Sequence, residues 1–359
     1  MRNSFKLAMI YIGMITGAGF LSGQEILSFF LSYGSQGFFG VITASLLFGI
    51  CSYLVFHAVL AEKISSRVKP RIYSGIIDSF TAVFMYLTYC VMLAGAADIF
   101  REYLSLPGAS GSLTLAVICC MIFKSRSHGL ISANLYLAPI MIFGSLLIAS
   151  YAVVFEANPA ISLHNLRGVV DNWLVSGIFY VSYNVIGSAG LISSFPQLVD
   201  SRKTCLTSSV IISVAVFIMC ASIWLAMYNS YEIIKYSSIP MLILSGVLKP
   251  FYVCLLFIAM LTTAISCGFS AINCVKLRFK SISYGKAVII VTLSGLFISQ
   301  ASFAFLVSKI YYIYGIIGIP LFPLTLRSIR LCNEDYGKSS NSPQNPRVQT
   351  TRHLHSTNK

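Results

Sequence analysis

The sequence predicts an all-α membrane protein with ten transmembrane helices in two inverted five-helix repeats, helices 1 and 6 being broken. Three observations carry the prediction. Apolar runs of 18 or more residues recur from Phe5 almost to Arg327, in a 359-residue chain that is 57% hydrophobic and 10% charged. A soluble domain carries about 25% charged residues, whereas runs of this length are the mark of bilayer-spanning helices. Basic residues gather in alternate loops, and glycines interrupt the first and sixth spans at matching places.

The spans follow from the apolar runs in order. Span 1 takes 5–31, span 2 36–61, span 3 74–104, span 4 111–123 and span 5 130–154. Span 6 takes 171–198, span 7 205–229, span 8 240–275, span 9 285–299 and span 10 303–326. Spans 4 and 9 are short, while 3 and 8 are long enough to tilt or protrude. The first span begins like a signal peptide, with Arg2 and Lys6 before an apolar run. That run is too long, and no small-x-small cleavage site with a soluble domain behind it follows, so it reads as a retained helix. Residues 1–154 then form the first repeat, 155–170 an external connecting loop, and 171–330 the second repeat. Residues 331–359, rich in Ser, Asn, Pro, Gln and Arg, read as a disordered cytoplasmic tail.

Charge placement orients the bundle. One side receives Arg2, Lys6, Lys63, Arg67, Lys69, Arg71, Lys124, Arg126, Arg202, Lys203, Lys276, Arg278, Lys280, Lys286, Arg327 and Arg330. The other receives Arg101, Arg167, Lys235, Lys249 and Lys309. The positive-inside rule then puts both termini in the cytoplasm of a bacterial inner membrane. The net charge of +14 is spread over short loops rather than one amphipathic face, which argues against nucleic acid as a partner. The expected partners are the lipid bilayer and a small-molecule substrate. Nine of ten cysteines lie in or beside apolar segments with no CxxC spacing, so disulfides and zinc are not expected.

Span 1 reads YIGMITGAGFLSGQE from Tyr11 to Glu25, with glycines at 13, 17, 19 and 23. Each costs a helix about 1 kcal/mol relative to alanine. Four in mid-membrane point to a backbone that opens, freeing carbonyls for a cation and amides for a carboxylate. The alternative is close helix packing, since Gly13/Gly17 and Gly19/Gly23 have GxxxG spacing. Span 6 reads YNVIGSAGLISSF from Tyr183, and Gly187, Ser188 and Gly190 again fall near its centre, with Asn184 beside them. Paired interruptions in two halves favour a binding site over packing. Candidate substrate-binding residues are Ala18, Gly19, Phe20, Ser22, Gly23, Glu25, Asn184, Gly187, Ser188 and Gly190.

The GAGFLSGQE stretch at Gly17–Glu25 resembles the first-helix motif of the YkvI family of bacterial membrane proteins. That family belongs with the amino acid–polyamine–organocation transporters, which share the fold of the bacterial leucine transporter. The resemblance spans nearly the whole chain in helix number and topology, while its specific part is helix 1 and, less clearly, helices 6 and 8. It implies a secondary active transporter of a small solute, with a zwitterionic amino acid as the default substrate. Helix 3 lines the pocket in that fold, which adds Tyr86 and Tyr89, although an aromatic there is core at least as often. In helix 8, Ala259 to Thr263 resembles the segment that sodium-coupled members use. The resemblance implies a sodium site of the Gly13, Thr16 and Ala259 carbonyls and the Thr262 and Thr263 hydroxyls. Back-bonding of both threonines to their own helix is the alternative.

Glu25 is the one acidic group within span 1, about 9 Å beyond Gly19 along a helix. An ionisable group at that depth defaults to a functional role. A coupled proton, a substrate amine and an outer gate are its candidate roles, against an interfacial carboxylate with a local partner. Sodium is the preferred coupling ion over the proton; no other cofactor is expected. Asp78 and Asp98 read as interfacial, and His57, His128 and His164 have no metal-ligand spacing. A membrane enzyme is disfavoured by the lack of HExxH and GxSxG motifs. A channel would need a hydrophilic lining repeated along a helix. A transporter-fold receptor that binds an amino acid and signals is the remaining rival.

Overall fold

The computed structural model describes residues 2–65, 71–125, 130–156, 170–192, 196–279 and 281–340, and these contain helices and no strand. Span 1 falls into three pieces: α1 (Arg2–Ile15), α2 (Ala18–Leu21) and α3 (Gln24–Phe29). A 3₁₀ turn at Leu31–Gln36 leads into α4 (Gly37–Ser65), followed by α5 (Arg71–Glu102), α6 (Gly108–Ser125) and α7 (Leu130–Tyr151). The second half holds α8 (Trp173–Ile192), α9 (Arg202–Tyr228), the short α10 (Tyr231–Ile234) and α11 (Pro240–Ile243), then α12 (Lys249–Arg278), α13 (Tyr284–Ile298) and α14 (Phe303–Ser340).

Helices cover all ten expected spans. Among the described residues, six segments are long and apolar enough to cross a membrane by themselves: Leu31–Ala61, Ser79–Glu102, Pro139–Glu156, Arg202–Tyr228, Gly246–Lys276 and Phe303–Leu324. The chain is a membrane protein, and the distribution of exposure says why these helices form a bundle. On α9, Leu206, Val210, Val214 and Ile218 are exposed at four-residue spacing, while Ser208, Ser209, Ile212, Val216 and Met219 are buried. An apolar stripe faces outward, because lipid gives apolar side chains no reason to leave it, and the Ser208 and Ser209 hydroxyls face inward among further apolar residues. Hydroxyls therefore cross-link the interior. Ser213 Oγ donates to the Ser45 carbonyl at 2.9 Å, and Ser208 Oγ to the Ser4 carbonyl at 3.0 Å.

Corresponding helices of the two halves pack on one another: α1 on α8, α4 on α9, α5 on α12 and α6 on α13. The α4–α9 and α5–α12 pairs run antiparallel, since Phe38 meets Trp224 while Gly49 meets Ser213, and Gly95 meets Met260 while Met85 meets Cys267.

Three boundaries differ from expectation. The break expected in span 6 is not where the glycines are: α8 runs through Gly187, Ser188 and Gly190 to Ile192. Its polar side chains bond back to the helix itself, Asn184 Nδ2 donating to the Tyr180 carbonyl at 2.9 Å and Ser188 Oγ to the Asn184 carbonyl at 2.6 Å. Residues 193–195, where Ser193 lies, are outside the described residues. Span 8 starts later than expected, at Lys249, because Pro240–Leu248 folds into α11 and a 3₁₀ turn. Finally, α14 continues to Ser340, ten residues into the segment read as a tail. Residues 157–169 of the connecting loop and 341–359 of the tail are outside the described residues.

Candidate functional site

The helix-1 break is built by a few bonds. The amide and hydroxyl of Thr16 both donate to the Ile12 carbonyl, at 2.8 and 2.9 Å, and close α1. Gly17 is extended (φ −65°, ψ 178°), and α2 follows as a single turn. The amides of Gly17 to Phe20 have no backbone acceptor among the described residues. At the far side of the turn the freed carbonyls are satisfied from other elements: Tyr252 donates its hydroxyl to Leu21, and Met241 its amide to Ser22 at 3.0 Å. Ser22 Oγ donates to the Gly19 carbonyl at 2.7 Å and accepts from the Gln24 amide at 3.2 Å. Gly23, at φ +82°, supplies the left-handed residue that separates α2 from α3.

Glu25 lies in the first turn of α3 with 4% of its surface exposed. Its side chain folds back onto Gly19, so that a Cβ there would collide with the Glu25 carboxyl group. The hydroxyls of Tyr180 and Tyr183 lie beside that group, yet Glu25 Oε2 and both hydroxyls complete no hydrogen bond among the described residues.

A cavity of about 400 Å³ opens against this break. Gly13, Met14, Ile15, Gly17, Ala18, Gly19 and Glu25 form one wall. From α5 come Thr81, Phe84, Met85, Thr88 and Met92, and from α8 Tyr183, Asn184 and Gly187. The remaining wall is Thr263, Ser266, Cys267, Phe269, Ser270 and Asn273 of α12, with Tyr311 of α14. The lining is buried at Glu25 and Thr88 and exposed at Asn273. Because α12 meets Leu21 at Tyr252 and Gly17 at Thr263, its Asn273 end runs toward the start of α1, and the exposed mouth lies at that end of the bundle. The opposite end is sealed. Phe29 stacks on Tyr312 with centroids 4.3 Å apart, Tyr312 donates to the Ser28 carbonyl at 3.1 Å, and Ser176 to the Phe29 carbonyl at 2.8 Å.

The cavity brings together seven of the residues singled out above: Gly13, Ala18, Gly19, Glu25, Asn184, Gly187 and Thr263. The others are outside its lining. Phe20 is fully buried, Ser22 and Gly23 shape the turn, and Ser188 is bonded into α8. Gly190 lies nearer the end of that helix. Tyr86 turns to α13, its hydroxyl 2.7 Å from Ser294 Oγ, and Tyr89 is buried against Gly295 and Phe123. Of the residues implied for sodium, Thr16 bonds to Ile12 through its amide and hydroxyl, not through the implied carbonyl, and Thr262 Oγ1 donates to the Ile258 and Ala259 carbonyls, each at 3.1 Å. Thr263 Oγ1 alone reaches toward the break, 3.9 Å from where a Cβ on Gly17 would stand.

Most of α5 and α12 in the lining was not anticipated. One signal was available: Thr263, Ser266, Ser270 and Asn273 are spaced by three, four and three residues, a polar stripe along one face of an apolar helix.

Comparison with known proteins agrees with this architecture. The chain is 23% identical over 328 residues to an uncharacterized membrane protein, YkvI, of Bacillus subtilis (strain 168), covering 88% of this chain and 92% of that one. It is 24% identical over 349 residues to YyaD of the same strain, covering 89% and 95%. Among solved structures it is similar to the inward-facing conformation of Mhp1 (TM-score 0.59, 15% identity, 91% of this chain and 76% of that one). It is also similar to a Na⁺-coupled sialic acid symporter (0.59, 13%, 91% and 78%) and to the Eremococcus coleocola manganese transporter (0.58, 13%, 90% and 78%). No protein-family model matches the chain. The fold is that of secondary transporters. These neighbours share the leucine-transporter fold that the first-helix motif implied, and they are transporters, not enzymes.

Proposed function

We propose that this protein is a secondary active transporter. It moves a small solute, an amino acid or related amine, by alternating access through ten membrane-spanning helices in a bacterial inner membrane, with both termini in the cytoplasm. The observation that carries the reading is a cavity at the helix-1 break, open toward one end of the bundle and closed at the other by the Phe29–Tyr312 stack. A solute bound there has access to one side only, and moving the closure from one end to the other would deliver it across.

Sodium is the coupling ion we favour. Gly13 and Thr263 share the cavity wall, and neutral oxygens suit a hard monovalent cation better than a proton. Binding at the full set would require Thr262 to turn from the Ile258 and Ala259 carbonyls that it now occupies. Coupling to a proton is the second reading, favoured by the buried carboxyl oxygen of Glu25 that has no partner. Uptake of labelled solutes into proteoliposomes separates the two. With sodium coupling, an inward sodium gradient drives accumulation and Thr262→Val with Thr263→Val abolishes that stimulation, whereas with proton coupling the double variant keeps its pH-driven accumulation. Uptake indifferent to sodium overturns this coupling, and binding without any uptake favours a receptor.

A further inference from the structure

We propose that the cavity takes an organic ammonium group at Glu25, held by that carboxylate and the rings of Phe84, Tyr183 and Tyr311, in competition with a proton. The assignment rests on the cavity being the solute site of the transport reading and narrows its substrate class to cationic amines.

Charge comes first. Glu25 is the one carboxylic acid in the described lining, which contains no Lys, Arg or His. A buried carboxylate without a cation is costly and must be neutralised by a proton or by a positive group from outside. The titratable groups that face it are Tyr180 and Tyr183 from α8, Tyr311 from α14 and Cys220 from α9, and none of them brings positive charge. Oε2 completes no hydrogen bond, so the carboxyl group, which lines the cavity, has acceptor capacity left for a ligand donor.

Shape comes second. Phe84, Tyr183 and Tyr311 form a triangle in the cavity wall, with centroids 4.8 Å apart for the tyrosines and 6.2 Å from each tyrosine to Phe84. Aromatic faces beside a carboxylate attract an alkylammonium head, and more strongly in a desolvated site. A substrate carboxylate is served less well. The free amides it would seek are those of Gly17 to Phe20, and the protein's own carboxyl group already lies against Gly19 among them. Two anions in one neighbourhood repel, which disfavours a zwitterion relative to the amine that lacks the carboxylate.

Competition with the proton follows from the same carboxyl group. It accepts either a proton or an ammonium hydrogen bond, so acidification weakens the ligand, by about tenfold per pH unit once Glu25 is protonated.

The test measures binding to the purified full-length protein in nanodiscs for four probes of one skeleton: phenethylamine, its N,N,N-trimethyl derivative, phenylalanine and 2-phenylethanol. The two cations are expected to bind best. The trimethyl compound carries a fixed charge, so its loss of affinity on acidification reports the protein alone. Glu25→Gln should weaken both cations on the order of 30-fold or more and abolish the pH dependence. Tyr311→Leu should weaken them about two- to fivefold and keep it. If Glu25→Gln does not remain monodisperse, the wild-type pH profile with the trimethyl probe decides. Binding of phenylalanine or phenylethanol in preference to the cations overturns the assignment, as does pH-independent cation binding or no binding of any probe. Proteoliposome uptake is scored separately. Cations bound at Glu25 but never accumulated support the site and overturn transport, whereas phenylalanine accumulated without cation binding overturns the site and leaves transport standing.

Discussion

Gly19, Gly23 and Gly187 are three glycines with three different reasons for being glycine. At Gly19 the space beyond Cα holds the Glu25 carboxyl group, and at Gly23 the backbone is left-handed with Met227 and Met241 packed against it. At Gly187 a Cβ would meet Phe84 and Met85 at 3.5 and 3.7 Å, ordinary contact distances. Their substitutions should therefore separate. Gly23→Ala should lower thermal stability by about 1–3 kcal/mol through backbone strain, read as a loss of melting temperature in detergent. Gly187→Leu should leave the melting temperature close to wild type yet remove solute binding, because its side chain has only the cavity to enter. Equal melting losses in both would contradict this division. The clustering of these residues was legible in the sequence. The reason for Gly19 was not, because the group that excludes a side chain there comes from another helical piece and reaches it only by folding back.

The elements show where local pattern and tertiary setting part. Spans 1 and 6 carry the same glycine interruptions, yet only span 1 opens at them. In α8 Asn184 and Ser188 bond to carbonyls one turn back within a continuous helix, while in span 1 Gly17 is extended and Gly23 left-handed. Helix ends are secured from outside as well. Asp200, just before α9, accepts hydrogen bonds from Thr204 and from Asn3 Nδ2 at 3.1 Å, which ties the start of α1 to the start of α9. Those donors, Thr204 first and Asn3 second, hold its carboxyl below the usual carboxylate range. A depressed folded-state value contributes stability above the unfolded value of 3.8, lost as pH falls through the folded one. Asp200→Asn should thus flatten the acid-side loss of stability, by less than about 1 kcal/mol because the group is exposed. Thermal unfolding between pH 5 and about pH 3 would detect the change, and identical acid limbs would count against it.

At the scale of the whole molecule, equivalent helices of the two halves meet in pairs, and the two pairs traced along their length run antiparallel. The topology that the basic loops predict has the same consequence. A reporter fused after Arg330 should be cytoplasmic and one inserted within 155–170 external. Both reporting from one side would exclude inverted repeats in this orientation. The cavity sits where α1, α5, α8 and α12 converge, and its mouth lies at the end that the charge distribution assigns to the cytoplasm.

Composition and pattern alone determined that this chain enters a membrane, in which stretches its helices fall, which part of span 1 unwinds, and that Glu25 is the one acid in that span. These are properties of short stretches: apolar run length, glycine spacing and one acid among apolar neighbours. Only the structure decided that α8 stays whole at its glycines, that Tyr86 and Tyr89 face away from the cavity, and that Thr262 is occupied by its own helix. It also brought Phe84, Tyr183 and Tyr311 together from three helices far apart in the chain. The physical reason is that a helix in lipid is nearly indifferent to which apolar face it turns inward. Rotation about its axis is set by small residues and hydroxyls finding partners on neighbouring helices, and such partners cannot be read from one helix alone.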